Sequence, residues 1–267
     1  MNNIIIKNAA QVVTCSGFEG KRGAEMSNLH VIENGTVIVT DGIISHWLKK
    51  SEAIPIDVSG YKEIDATGKA LLPGFVDPHT HFVFGGHREE EFSWRMRGDS
   101  YMSIMERGGG IVNTTKATRE ASEEELYNSA KRRLDDMLEL GITTVEGKSG
   151  YGLDKDTEMK QLRVMRKLNE DHPMDIVSTF MGPHATPAEW KGREDEFIDF
   201  NINEMLPLVA KEKLAECADI FCEENVFTIE QSRRFLTAAR EHGFLLKLHA
   251  DEIVQFGGAE LAGELKV

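Results

Sequence analysis

The chain has 267 residues, room for one large domain or one domain with a small companion, and its 40% hydrophobic and 28% charged residues exclude a disordered or collagen-like polymer. Lys plus Arg number 31 against 45 Asp plus Glu, a net charge of −14 with no dense basic cluster, so no nucleic-acid partner is expected and an anionic substrate must meet locally placed cations. Cys15, Cys217 and Cys222 form neither a CxxC pair nor a zinc spacing, the N-terminus lacks a signal-like apolar run, and no stretch nears the roughly 18 apolar residues of a membrane span; a cytoplasmic protein with no membrane partner is expected.

Residues 3 to about 73 read as short β-rich pieces over Ile4–Val13, 37–47 around Asp41-Gly42, and 63–72, with turn residues such as Asn34-Gly35 separating them. From Pro73-Gly74 the texture changes. The segment 74–77 leads into Pro78-His79-Thr80-His81, then comes an irregular, glycine-punctuated stretch, and a helix begins at Ser122, which forms a capping box with Glu125. Leu126, Ala130, Leu134, Met137 and Leu138 recur at helical spacing, and Gly141 takes the C-terminal cap before the β-branched run Ile142-Thr143-Thr144-Val145.

The alternation repeats: a helix over 156–169 with Met159, Leu162 and Met165 on one face, then a strand over 176–180. It repeats again with a strand over 218–222, a helix capped by Thr228 and Gln231 that carries Phe235, Leu236 and Ala239, a stop at Gly243, and a strand over 244–249. Such alternation predicts a parallel sheet with right-handed crossovers. A closed eight-unit barrel takes about 250 residues, and 74–267 supply five strands, so the residues leave two architectures open: an open doubly wound sheet, or part of a barrel. The expected domains are 1–73 and 74–267.

His79 and His81 stand two apart, so on a strand both side chains leave one face and can reach one metal. Two histidines bonded to backbone or water are the plain alternative. His249 closes a later apolar strand, and parallel strands bring their carboxyl ends to one face, where three imidazoles with an open position make the ligand set of a catalytic zinc or iron site. Asp251 and Glu252 follow at once, as carboxylates for proton transfer or as solvated loop acids. His184, ending the strand from 176, is either a hydrogen-bonded loop histidine or a group that polarises substrate. Arg88 can hold a substrate carboxylate through its fork of donors, or neutralise Glu89, Glu90 and Glu91. Tyr151 is a rim aromatic or a hydroxyl donor. Gly147-Lys148-Ser149 is not a phosphate-binding loop, because Gly141 lies too far back and the spacer is a strand, and Gly108-Gly109-Gly110 lacks dinucleotide-binding spacing.

Residues 73–81, Pro-Gly-Phe-Val-Asp-Pro-His-Thr-His, resemble the first-strand signature of the amidohydrolase superfamily. The stretches Phe84-Gly85-Gly86-His87-Arg88, Gly108-Gly109-Gly110-Ile111, 146–153 (Glu-Gly-Lys-Ser-Gly-Tyr-Gly-Leu) and Leu248-His249-Ala250-Asp251-Glu252 resemble the branch that opens the ring of 4-imidazolone-5-propanoate in histidine degradation. The resemblance implies a metal-dependent (β/α)8 TIM-type barrel, incomplete over these residues, with a small N-terminal β-sandwich domain. It implies one Zn²⁺ or Fe³⁺ per subunit held by His79, His81 and His249, with Arg88 and Tyr151 near the substrate's propanoate and His184 and Glu252 near its ring, and a homodimer. It also implies a further histidine after the sixth strand and an aspartate ligand after the eighth, both beyond Val267, so residues 1–267 are expected to be an N-terminal part. The competing readings are another cyclic amidase or nucleobase deaminase of the superfamily, with a mononuclear centre because the strand at 218–224 carries no bridging lysine, and a non-catalytic scaffold.

Overall fold

In the computed structural model, which describes residues 3–17, 19–99, 103 and 109–267, the chain forms two compact units, Met1–Gly74 and Phe75–Val267. The first is built on one five-stranded sheet. Its long central strand β1 (Ile4–Val13) pairs antiparallel with β2 (Val31–Thr40), which pairs with β3 (Ile43–Lys49) through a tight turn at Asp41-Gly42, while β4 (Lys62–Asp65) and β5 (Ala70–Leu71) run parallel to β1. Ala9, Val12, Val37 and Ala66 form its buried apolar cluster. Asn34-Gly35, expected to separate two pieces, lies within β2: Asn34 takes a φ of 52°, and a Cβ on Gly35 would come within 2.7 Å of Val12 Cγ2. A left-handed Asn beside a Gly there marks an irregular strand with close backbone approach rather than a chain reversal.

The second unit carries the parallel sheet. β6 (Phe75–Thr80), β7 (Ile142–Lys148), β8 (Asp175–Phe180), β9 (Cys217–Ala218) and β11 (Leu245–Leu246) lie side by side in chain order, all parallel, and β10 (Phe221–Cys222) pairs with β12 (His249–Ala250). A doubly wound sheet reverses its strand order at a switch point, and this sheet does not, so the architecture is the singly wound half of a (β/α) barrel. The expected strands over 218–222 and 244–249 are each two short pieces. Backbone bonds nevertheless continue through the gaps, from Leu245 N to Glu216 O (3.0 Å), Lys247 N to Ala218 O (2.9 Å) and His249 N to Ile220 O (3.1 Å).

The core lies between sheet and helices. The helix Glu123–Glu139 starts on the expected Ser122/Glu125 box and buries Leu126, Ala130 and Leu134, and Gly141 follows at a φ of 89°. Lys155–Asp171, capped by Asp154, buries Met159, Leu162 and Met165, and Ile229–Glu241, boxed by Thr228 and Gln231, buries Phe235, Leu236 and Ala239.

Among the described residues, the stretch expected to be irregular holds the helices Glu89–Met96 and Ile111–Glu120. The first starts on three acids that suit its N-terminal dipole, and the second buries Thr114, Thr115 and Thr118, whose polar names hide the helical period. Gly108 lies outside the described residues.

On β7, Val145 and Gly147 face the helices while Glu146 and Lys148 leave the opposite face. A Cβ on Gly147 would stand 2.5 Å from Phe82 Cε1 and 3.2 Å from Met165 Sδ. Gly147→Ala is therefore expected to cost about 1–3 kcal/mol by overpacking, read as a lower urea midpoint at unchanged m-value; an unchanged midpoint would contradict this placement of the strand.

Candidate metal centre

His79 sits near the carboxyl end of β6, His81 one residue beyond that strand, and His249 opens β12, whose register sets it opposite Phe221. These strands deliver the three imidazoles to one place: one ligand atom from each lies within 4.8 Å of the others. His79 and His249, 170 residues apart, bring their Nε2 atoms to 2.8 Å. His184 stacks on His81 with ring centroids 4.7 Å apart and planes 9° from parallel, and Tyr151 lies 4.8 Å from His81 and 5.4 Å from His184. His79 and His249 line a cavity of about 600 Å³ that is also lined by Glu146, Lys148, Asp219 and Glu252.

Burial favours the neutral form of His79, His81 and His184. Burial pushes His81 well below the usual imidazole range, helped by the neighbouring His184, and burial followed by the charge of His249 lowers His79. Burial takes His184 down to about 4 although its bond to Gly150 opposes the shift. That bond, Nδ1 to the Gly150 carbonyl at 2.9 Å, requires the proton on Nδ1, so the neutral ring offers Nε2 as an acceptor. Nδ1 of His81 is buried without a hydrogen-bond partner among the described residues. Three imidazoles, one with an unsatisfied ring nitrogen, are a donor set that can hold a transition-metal ion, and three protein ligands leave a position open as catalytic sites do.

No family model matches the chain. In sequence it is 62% identical over 264 residues to an imidazolonepropionase from Clostridium tetani, covering 98% of this chain and 63% of that protein. It is 60% identical over 266 residues to one from Parabacteroides distasonis, covering 99% of this chain and 64% of the relative. Relatives that the chain resembles strongly in sequence thus carry the name imidazolonepropionase. It spans slightly less than two thirds of their length. Among solved structures it resembles the 5-methylcytosine deaminase of Klebsiella pneumoniae (TM-score 0.66, 18% identity, 98% of this chain and 55% of that one) and a triazine hydrolase from Arthobacter aurescens (TM-score 0.61, 17% identity, 99% and 56%). At that identity the likeness establishes the barrel fold alone.

The other residues singled out from the sequence divide. Glu252 is exposed and lines the cavity. Asp251 is committed elsewhere: at a φ of 54° its carboxylate accepts the backbone N–H groups of Phe256, Gly257, Gly258 and Ala259, building the turn into the helix Gly258–Leu265. Arg88 is exposed just before the helix Glu89–Met96, and among the described residues its side chain has no hydrogen-bond or ion-pair partner. It does not pair with the acids beside it; Glu91 is buried and accepts from Gly110 N at 2.8 Å.

Sequence reasoning passed over the groups that build the surroundings. Glu158 accepts Gly150 N, Gly152 N (2.8 Å) and Leu153 N (2.9 Å), folding the loop that carries Tyr151, and Glu223 accepts Glu252 N (2.9 Å) and Ile253 N (2.8 Å). Asp219 reaches His249. The available signal was an ionisable residue inside an apolar run, as Asp219 is within 217–222, because a buried charge must be paired.

No helix among the described residues is long and apolar enough to cross a membrane, and all three cysteines are free.

Between the ordinary imidazole value of 6.5 and about 4, the unfolded chain binds a proton that folded His184 refuses, so stability falls as pH drops through that window. The metal-free protein is expected to show a urea midpoint that declines from pH 6.5 to 4, and His184→Gln a shallower decline; equal slopes would contradict the buried neutral ring.

Proposed function

We propose that this chain forms part of an imidazolonepropionase, a metal-dependent hydrolase that opens the ring of 4-imidazolone-5-propanoate to N-formimino-glutamate. The observation that carries the reading is the convergence of His79, His81 and His249 within 4.8 Å, with His79 and His249 lining a cavity that Glu252 also lines, in a chain 62% identical to a protein of that name.

The three imidazoles would hold one zinc or iron ion, since nitrogen ligands suit both. Such an ion supplies a water acidified to a pKa of roughly 7 and a positive charge beside the carbonyl oxygen. The remaining steps fall to side chains. Glu252 takes the proton from the attacking water and passes it to the ring nitrogen that leaves as the carbonyl carbon–nitrogen bond breaks. His184, with Nε2 as acceptor, receives a substrate N–H and orients the ring. Arg88 and Tyr151 meet the propanoate; a guanidinium without a partner among the described residues is available for it, and explains how so acidic a chain binds a carboxylate. The assembly implied by the resemblance is a homodimer.

Full-length protein turning over 4-imidazolone-5-propanoate tests the reading, and preference for cytosine or guanine would replace the substrate. Glu252→Gln is expected to lower kcat by about 10²–10⁴ with metal content unchanged. Arg88→Ala is expected to raise KM with the metal retained, and wild-type KM in that variant would remove Arg88 from the substrate site.

A further inference from the structure

Lys148 is a buried ionisable group that the proposed chemistry leaves unused. It is 3% exposed, and its Nζ donates to Glu146 Oε1 at 2.7 Å and to Asp219 Oδ2 at 2.8 Å. Glu146 is itself held: Thr179 Oγ1 donates to Oε1 at 2.5 Å, and Lys247 Nζ stands 3.0 Å from Oε2. Two ammonium groups and two carboxylates thus tie β7 to β8 and to the segments carrying Asp219 and Lys247.

Asp219, 1% exposed, grips His249 twice. Oδ2 stands 3.0 Å from the ring Nδ1, and Oδ1 accepts from the backbone N at 3.2 Å. A neutral imidazole carries one N–H, and the nitrogen that bears it cannot bind a metal. With the proton on Nδ1 the lone pair is on Nε2, the atom that faces His79 at 2.8 Å. The same Asp219 oxygen serves both Lys148 and His249, so the ammonium sets where that oxygen lies and the oxygen sets how the ring turns. A buried ion pair is by itself weak evidence of stabilisation, whereas a carboxylate behind a ligating histidine raises the ligand's basicity and fixes its orientation.

We propose that Lys148 and Asp219 are positioning residues for His249, Lys148 anchoring the Asp219 carboxylate and Asp219 holding the Nδ1 proton so that Nε2 is presented to a divalent cation. The inference rests on the ligand set His79, His81 and His249.

Zinc(II) titration of the full-length apoprotein against a competing chelator tests it, comparing wild type with His249→Ala, Asp219→Asn and the charge-balanced pair Glu146→Gln/Lys148→Met, each checked for folding by circular dichroism. His249→Ala is expected to lose tight zinc binding, and the other two to bind zinc roughly ten- to a hundredfold more weakly. Nitrogen-15 shifts of His249 in the wild-type protein, which need no variant to fold, are expected to report a protonated Nδ1 with and without zinc. Zinc retained by His249→Ala overturns the ligand set and this inference with it. Loss there with wild-type affinity in both other variants, or a metal-bound Nδ1 in the wild type, overturns the positioning role alone.

Discussion

Parallel strands laid side by side in chain order send their carboxyl ends to one edge, and everything at the candidate site follows from that constraint. The hydrogen-bond ladder from β6 through β7, β8 and β9 to β11 lets residues 170 positions apart meet without a dedicated connecting segment. Strands set the ring positions, helices supply the apolar backing, and loops after each strand carry the variable chemistry, which is the division of labour general to barrels of this kind. His79 comes from near the end of β6, His184 from the loop after β8, His249 from the start of β12, and Tyr151 from the loop after β7.

That edge is held by buried charge as much as by apolar contact. Burial alone would raise the Asp219 carboxyl, but its bond to His249 and the nearby charges of His249 and Lys148 overcome the penalty and hold it at about 2. Glu158 shows the opposite balance: burial raises it despite the Ser149 hydroxyl and the backbone donors of Leu153, Gly152 and Gly150. Both carboxylates accept backbone or side-chain donors rather than water, which makes the loops they organise rigid supports for the rings beside them. Among the described residues Leu153, at a φ of 57°, lies in one such loop. Its left-handed backbone is sustained by the bond from its own N–H to Glu158 at 2.9 Å.

The helices and most strands of the second unit were legible because capping chemistry and periodicity act over a few residues. Ser122 with Glu125, Thr228 with Gln231, and the glycines at 141 and 243 mark their ends by local hydrogen bonds or positive φ. Legibility failed where long-range contact overrides the local signal. Asn34-Gly35 reads as a turn until β1 packs against it, and the buried threonines of Ile111–Glu120 read as polar until a neighbour covers them. Asp251 and Glu252 are adjacent acids with the same local character, yet only the folded loop assigns one to backbone donors and the other to the cavity.

By itself, then, the sequence determined the alternating architecture, the spacing of His79 and His81 on one strand face, and the resemblance carried by its motifs, since each depends on neighbours in the chain. Only the tertiary structure decided how closely His249 approaches that pair, that Lys148 and Asp219 stand behind it, and that His184 lies neutral against His81 with its proton on Nδ1. Those facts depend on distances across the sheet and on burial, which arise when separate strands pair.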